Sequence, residues 1–374
     1  DNPHAWLVSV GKFKAIDALR RMKRSRELLV ENYVESCFGS LAGAETGLVA
    51  LEGGVAPEEP AWETHVVEDD QLRLICYCCH PGLPLDARIA LALREVCGML
   101  TDEIARAYLT SPETIKKRIS RAKALIKSKK IAYEIPSKGE LPPRLAAVQH
   151  VIYLIFNEGY CASAGEEHIR KELTDEALYL GRQLLNLAPT AESRGLLALM
   201  LLQESRRETR VDDQGDLVAL ADQDRSRWNR GLIRAGVESL QQAMLSGRLG
   251  PYSLQAAIAS VHALAESVEA TAWDVVVGYY DMLLKIQPAP VIEMNRAIAV
   301  GMGAGAAAGL AILDRLHADA SLASYHPLHA ARAEFLKRLD RRGEAVQAYE
   351  QAIALTRQGP EARYLRKQLS QFAS

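Results

Sequence analysis

The chain lacks the long apolar runs by which proteins enter or cross membranes. None of its apolar stretches approaches the roughly 18 to 20 residues that a helix needs to span a bilayer, and the N-terminus has no signal-peptide pattern. Cysteine is also sparse, with six in 374 residues, which is far from the density of a disulfide-stabilised secreted scaffold. Together these absences predict a cytoplasmic protein without membrane attachment.

The local motifs of the common enzyme classes are missing as well. The chain has no Walker loop, no GxSxG nucleophile turn, no HExxH zinc pair and no dinucleotide fingerprint in its proper strand context. Gly301, Gly303 and Gly305 in VGMGAGAAAG imitate a glycine-rich loop, but no strand precedes them, and we expect a turn between helices. The sequence therefore predicts a protein that is not an enzyme and that has no catalytic residues and no cofactor.

One cluster of potential zinc ligands stands in DDQLRLICYCCH, where Cys76, Cys78, Cys79 and His80 are close in sequence. Thiolates and imidazole are the usual ligands of zinc, but C-x-C-C-H is not a zinc-finger spacing and no second pair follows at a suitable distance. Adjacent side chains on a helix also point apart. We therefore favour small buried thiols on a packed helix over a metal site.

Charge is strongly segregated along the chain, although the formal net charge is only −2. No Lys or Arg stands between Glu27 and Leu72, whereas the segments 12–26 and 116–130 are densely basic. Two basic islands separated by an acidic span indicate two separate contacts with a polyanion.

The second basic island lies in TDEIARAYLTSPETIKKRISRAKALIKSKK, residues 101–130, which predicts two helices joined by a tight turn. Thr101 is expected to cap the first helix and Ser111 the second, with Pro112 at the first helical position. The cations of the second helix lie opposite its apolar positions, which are Ile115, Ile119, Ala122 and Ile126. This pattern is typical of a DNA-binding helix-turn-helix; the alternative is a helical hairpin with a solvated cationic face.

The first basic island belongs to residues 3–26, which predict an amphipathic helix. A basic face beside aromatic residues suits a groove that follows the backbone of melted or duplex DNA, and the alternative is a solvated helix. The cations of this face are Lys12, Lys14, Arg20 and Arg21.

A proline-rich boundary, EIPSKGELPPR, separates the helix-turn-helix region from a long helical half. We expect Pro142 and Pro143 to prevent regular structure there. Beyond the boundary, DEALYLGRQLLNLAP, YYDMLLKIQP and EAVQAYEQAIAL share the second-helix spacing of a tetratricopeptide-like repeat. Stacked helical hairpins are therefore expected.

Two features of this half have open interpretations. Residues 210–224, RVDDQGDLVALADQD, alternate apolar and polar positions around a turn and predict a short β-hairpin. We favour a structural excursion held by Asp–Arg pairs over a ligand or partner contact. Asn157, Glu158 and Tyr160 follow the apolar run VIYLIF and are either buried polar anchors or site residues.

In this order the parts resemble a known family. NPHAWLVSVGKFKAIDALRRMKR, an acidic linker, the stretch from DDQLRLICYCCH to SRAKALIK and a helical extension are together similar to bacterial RNA polymerase sigma factors of the extracytoplasmic-function (ECF) group. More narrowly, they resemble the subgroup with a C-terminal tetratricopeptide-like extension, to which VIYLIFNEGY and ADQDRSRW are also similar. The resemblance covers nearly the full chain.

The resemblance implies an all-α fold, apart from the short hairpin, in five parts. Residues 1–37 would be the C-terminal part of sigma region 2, 38–68 an acidic flexible linker, 69–134 the region 4 helix-turn-helix domain, 135–143 a second linker, and 144–374 a tetratricopeptide-like α-solenoid.

The resemblance also implies roles for single residues. In such factors the recognition helix of region 4 enters the major groove of the upstream promoter element. Base and adjacent backbone contacts would fall to Thr114, Lys116, Lys117, Ser120 and Arg121. Phosphate contacts of the same helix would fall to Arg118 and Lys123. The downstream promoter element would be held by Lys12, Lys14, Arg20 and Arg21.

The implied function is promoter recognition and strand opening on behalf of RNA polymerase, without covalent chemistry. Promoter DNA and core RNA polymerase are the expected partners, and the helical extension would bind a protein partner or regulate the factor. A different class, a stand-alone helix-turn-helix repressor or activator with a helical sensor domain, is the main alternative, and a tetratricopeptide-type adaptor is a weaker one. A repressor has no use for a second basic helix and an acidic linker, which favours the sigma-factor interpretation.

Members of that family have earlier region 2 helices, which dock on the polymerase clamp. This sequence opens at Asp1, just before the DNA-facing helix. We therefore expect either a fragment or a factor without the main clamp-binding surface.

Overall fold

Fifteen α-helices and four short 3-10 turns, with no β-sheet, make up the part of the chain that the computed structural model describes. The described residues are 69–131, 136, 138–163, 168–247, 249–318 and 320–373. The predicted all-α fold is confirmed for this part. The predicted region 2 helix, with Lys12, Lys14, Arg20 and Arg21, lies outside the described residues, and so does the predicted acidic linker 38–68.

Four helices form the region that contains the predicted helix-turn-helix. They are α1 (Asp70–Cys78), α2 (Leu85–Glu95), α3 (Thr101–Ala107) and α4 (Pro112–Ser128). The longest of them, α4, packs against both α2 and α3. Its apolar side is buried as predicted, at Ile115, Ile119, Ala122 and Ile126.

Eleven further helices follow. They are α5 (Pro142–Tyr160), α6 (Lys171–Leu187), α7 (Ala191–Glu204), α8 (Arg230–Met244), α9 (Pro251–Leu264), α10 (Trp273–Ile286), α11 (Pro290–Gly303), α12 (Ala306–His317), α13 (His326–Arg338), α14 (Arg342–Leu355) and α15 (Gly359–Ala373). Each packs against its successor in the chain. The expected stacking of consecutive helices is therefore present in this half.

The two halves are in direct contact. Helices α1 and α2 pack against α5, and α1 also contacts α6. The guanidinium of Arg144 on α5 donates to the backbone oxygen of Cys76 on α1 at 3.1 Å. The region around the helix-turn-helix therefore rests directly on the helical half.

Proline behaves differently from our expectation at the boundary. We expected Pro142 and Pro143 to prevent regular structure, but α5 begins at Pro142. The first helical positions have no intrahelical acceptor for their N–H groups, so proline loses nothing there and its fixed φ suits the helix. The two prolines start α5 rather than interrupt the chain.

Glycines of VGMGAGAAAG are also placed differently from the prediction. Gly301 and Gly303 lie inside α11, and only Gly305, with φ of 102°, lies between helices. A Cβ atom at Gly301 would overlap the ring of Phe335. A Cβ atom at Gly309 of α12 would lie 2.6 Å from the Gly301 Cα atom. These glycines allow α11 and α12 to cross closely, which small residues at helix contacts make possible.

The predicted β-hairpin at 210–224 is reduced to one isolated antiparallel bridge, between Val211 and Leu217. The turn itself is present, because the Asp212 carboxylate accepts hydrogen bonds from the backbone N–H groups of Gln214 and Asp216, each at 2.9 Å. Strands do not extend from it, because the 3-10 turn Arg207–Thr209 precedes it and residues 220–222 form another turn soon after it.

Within the described ranges, no helix is both long enough and apolar enough to cross a membrane.

Candidate nucleic-acid interface

The start of α3 is capped by a residue other than the predicted one. Thr101 makes no capping bond; instead the backbone N–H of Leu100 donates to the Glu103 carboxylate at 2.7 Å. A carboxylate in the first turn satisfies an unpaired N–H and lies at the positive end of the helix dipole. The prediction that Thr101 caps the helix was therefore wrong.

The start of α4, the predicted recognition helix, is as predicted. The Ser111 hydroxyl accepts from the backbone N–H of Thr114 at 3.2 Å, and Pro112 is the first helical residue. Leu109 adopts a positive φ of 48° in the turn before it. Both helices of the predicted helix-turn-helix are therefore present and joined tightly.

Four of the predicted DNA contacts share one exposed face near the start of α4. The face, which we call the α4 face, comprises Lys116, Lys117, Ser120 and Arg121, all of them exposed. Thr114 is half-buried, and its hydroxyl lies 3.0 Å from that of Ser111. Three cations and a hydroxyl near the N-terminal end of such a helix can reach base edges in a major groove.

The other two predicted contacts of α4 are engaged within the protein. Arg118 pairs through Nε with the Asp86 carboxylate at 2.9 Å and lies 5.5 Å from the ring centroid of Tyr108. Lys123 pairs with Glu95 at 2.9 Å. Both pairs join α4 to α2. The contacts of Arg118 and Lys123 with phosphates stay predictions, and the structure adds a second role, which is to hold α4 against α2.

A charged network joins α3 to the helical half, and the sequence did not predict it. Arg170 donates to the Glu103 carboxylate at 2.8 Å and lies 3.7 Å from that of Glu158. Glu158 also accepts from the Ser163 hydroxyl at 3.2 Å, and the same hydroxyl accepts from Arg106 of α3 at 2.9 Å. One guanidinium therefore serves two carboxylates from different parts of the chain.

Both carboxylates of this network are buried, since Glu103 and Glu158 are each 7% exposed. Burial raises the pKa of Glu158 above its ordinary value, while the hydrogen bonds from Ser163 act in the opposite direction. Glu158 is thus the buried polar anchor that the sequence left as one of two possibilities. No local pattern could have identified Arg170, because its partners lie 67 and 12 residues away in sequence.

The cysteine cluster is part of the packing beneath this region. Cys76, Cys78 and Cys79 are buried, which confirms the interpretation as packed thiols. Burial raises the pKa of Cys76 and of Cys78 to about 12, so both thiols stay protonated at neutral pH. His80 accepts a hydrogen bond from the Gly82 backbone at 3.0 Å. Across the described residues, no group of side chains has the arrangement of a metal site.

Residues 210–224, which follow α7, are held by polar contacts to segments distant in sequence. The guanidinium of Arg210 lies 3.4 Å from the ring centroid of Tyr160 and 3.1 Å from His168 Nε2. The Nδ1 atom of His168 lies 2.8 Å from Gln358, next to α15. Burial and the Arg210 charge lower the pKa of His168 to about 4. Asp216 pairs with Arg363 of α15, so an Asp–Arg pair is present as expected.

Comparison with known proteins agrees with this arrangement. Residues 73–126 match the family model described as sigma-70, region 4. Residues 144–244 match DUF6596, a family of unknown function. The uncharacterized protein R00370 of Rhizobium meliloti (strain 1021) is 41% identical over 374 residues, which is 100% of this chain and 85% of that protein. The chain therefore belongs to the family of this Rhizobium meliloti protein, and it is a sigma-factor-like protein with the DNA-binding region 4 of sigma-70 factors.

Proposed function

We propose that the protein is an RNA polymerase sigma factor of the ECF type, which directs the core enzyme to one class of promoter in the cytoplasm. The observation that carries the proposal is the α4 face, three exposed cations on the second helix of a matched region 4. The cations that hold α4 against α2 are different residues, so the α4 face is free to meet DNA.

In this proposal the roles within α4 are divided. Base edges and the adjacent backbone are contacted by Thr114, Lys116, Lys117, Ser120 and Arg121. Arg118 and Lys123 contact phosphates while they remain paired with Asp86 and Glu95. The downstream element is assigned to Lys12, Lys14, Arg20 and Arg21 by the resemblance.

The helical half is proposed to be a tetratricopeptide-like domain that regulates the factor or binds a protein partner. Consecutive packing of its helices supports this, as do small residues in the repeat-like strings DEALYLGRQLLNLAP and EAVQAYEQAIAL. Among these, Ala177, Ala345 and Ala352 are fully buried. Its direct packing on α1 and α2 would pass any change in this half to the DNA-binding region.

Arg121→Ala is expected to weaken binding to cognate promoter DNA by about 1 to 3 kcal/mol, as for the loss of one good base contact. The side chain is exposed and makes no ion pair among the described residues, so the fold should be unaffected. Binding of cognate and scrambled duplexes at one salt concentration measures the effect. Lys127→Ala, which removes an exposed cation further along α4, serves as the control and should weaken both duplexes equally. Equal losses on both duplexes for Arg121→Ala would show that Arg121 meets phosphate alone.

The alternative is a stand-alone helix-turn-helix regulator, which the tight packing of region 4 on a helical half also suits. The two functions differ in their need for core RNA polymerase. A sigma factor is expected to bind purified core polymerase and to direct transcription from a promoter in its presence. A protein that binds the promoter fragment but neither binds the core enzyme nor supports transcription would be the regulator.

A further inference from the structure

Helix α10 has an apolar face that none of the described residues covers. Val275, Met282 and Ile286 are 41%, 43% and 50% exposed, and their spacing of seven and four residues places them on one side of the helix. Val276 and Leu283, each one position further along and so about 100° around the helix, are each only 1% exposed. The helix is thus anchored in the core through the side that carries Val276 and Leu283, and beside it presents an apolar stripe of the three exposed residues, which we call the α10 face.

A glycine lies in the middle of this face. Gly278 is an interior residue of α10, where glycine costs about 1 kcal/mol relative to alanine. Close packing explains two glycines inside other helices: a Cβ atom would lie 2.6 Å from Met200 at Gly181 and 2.7 Å from Leu202 at Gly236. At Gly278 nothing lies within 4 Å. The space that Gly278 leaves is therefore open to a molecule outside the described chain.

The flank of the α10 face carries two opposite charges near its two ends. Asp274 stands at the start of α10 and Lys285 near its end, and both are exposed. Neither side chain forms an ion pair within the described ranges, whereas Asp281 between them pairs with Arg296. A second helix that lies antiparallel on this face therefore needs a cation opposite Asp274 and an anion opposite Lys285.

A second copy of the same helix has this complementarity. In an antiparallel pair related by a two-fold axis, Asp274 meets Lys285 of the second copy, and Lys285 meets Asp274 of the second copy. The same register sets Val275 level with Leu284 of the second copy, midway between its Met282 and Ile286, and sets Gly278 about one residue from the level of its Met282. We infer that the protein self-associates as a two-fold dimer through the α10 face, with Gly278 allowing the two helices to approach closely.

Sedimentation of the complete chain over a range of concentrations tests this inference. The natural chain is expected to dimerise at micromolar concentrations. Asp274→Lys or Lys285→Asp alone places like charges opposite each other, and each should raise the dissociation constant about tenfold or more. The double exchange Asp274→Lys/Lys285→Asp restores opposite charges and should restore dimerisation. An equimolar mixture of the two single variants should form a heterodimer for the same reason.

Gly278→Gln tests the close approach itself. The substitution fills the space near the two-fold axis and should abolish dimerisation. At a concentration low enough for both proteins to be monomeric, the higher helix propensity of glutamine should keep the thermal midpoint at or above that of the natural chain. Gly343→Gln is the matched control, because a Cβ atom there also meets nothing within 4 Å, and it should leave dimerisation unchanged. A natural chain that stays monomeric would overturn the inference and leave the α10 face to another partner. A dimer that the charge exchanges do not affect would also overturn it.

Discussion

Replacing Arg170 with methionine is expected to lower the free energy of unfolding by about 3 kcal/mol at neutral pH, because removal of one partner leaves buried charge uncompensated. Arg170 is the cation shared by Glu103 and Glu158, and both carboxylates are almost fully buried. We expect a loss at the lower end of the range for broken buried ion pairs, because the Arg170 side chain is itself 31% exposed. Denaturant unfolding monitored by circular dichroism measures the loss.

The pH dependence identifies the cause of that loss. Burial already raises the pKa of Glu158 in the natural protein, and removal of Arg170 raises it further. A carboxyl group with a raised pKa in the folded state binds more protons there than in the unfolded state. Stability of the variant therefore falls as pH rises through the window between the two pKa values. The difference from the natural protein should be smaller at pH 5 than at pH 8.

Glu172→Gln provides the matched control for Arg170. Glu172 also pairs with Arg170, at 3.6 Å, but its side chain is 57% exposed. Its removal is expected to change stability by less than about 0.5 kcal/mol. If Arg170→Met lowered the free energy of unfolding no more than Glu172→Gln does, the network would not contribute measurably to stability.

Glu204→Gln is expected to make the protein more stable at pH 8 and to flatten its pH dependence. Glu204 is buried at the end of α7, where it pairs with Arg207. Burial outweighs the attraction of Arg207 and raises the pKa of Glu204 from 4.5 to about 7. The folded state therefore binds more protons than the unfolded state between these values, and stability falls as pH rises through this window, by about 3 kcal/mol in total.

Glutamine keeps the shape of Glu204 without the titration, and Arg207 retains Asp175 at 3.4 Å. Unfolding free energies of the natural chain and the variant, measured from pH 4.5 to 8, should therefore diverge as pH rises. Glu208→Gln changes an exposed carboxylate nearby and should follow the natural chain throughout. Parallel curves for Glu204→Gln and the natural chain would contradict the raised pKa.

The helix-turn-helix shows which structural features can be predicted from residues that are close in sequence. Ser111 followed by Pro112 and an apolar repeat with cations opposite it predicted the start, the buried side and the exposed side of α4, and all three agree with the structure. The predicted cap of α3 was wrong, because Glu103 rather than Thr101 caps this helix, through the backbone N–H of Leu100. Only the tertiary structure shows that the Glu103 carboxylate is also held by Arg170 from beyond α5.

Close contacts between helices also could not be predicted from the sequence. Gly301, Gly303 and Gly305 were expected in a turn between helices, because no strand precedes this glycine-rich string. The structure places Gly301 and Gly303 inside α11, and Gly301 accommodates the ring of Phe335. A glycine can mark a turn or a close approach, and the choice depends on which helix lies opposite.

The sequence by itself determined the start of α4, its buried side and the region 4 family of residues 73–126, because these depend on spacings of a few residues within one segment. Tertiary structure alone decided which charges face solvent. Arg118 and Arg121 stand one turn apart on α4, yet Arg118 turns to Asp86 while Arg121 stays exposed. The reason is physical: a long cationic side chain takes the nearest carboxylate in space, and the fold determines which carboxylate that is.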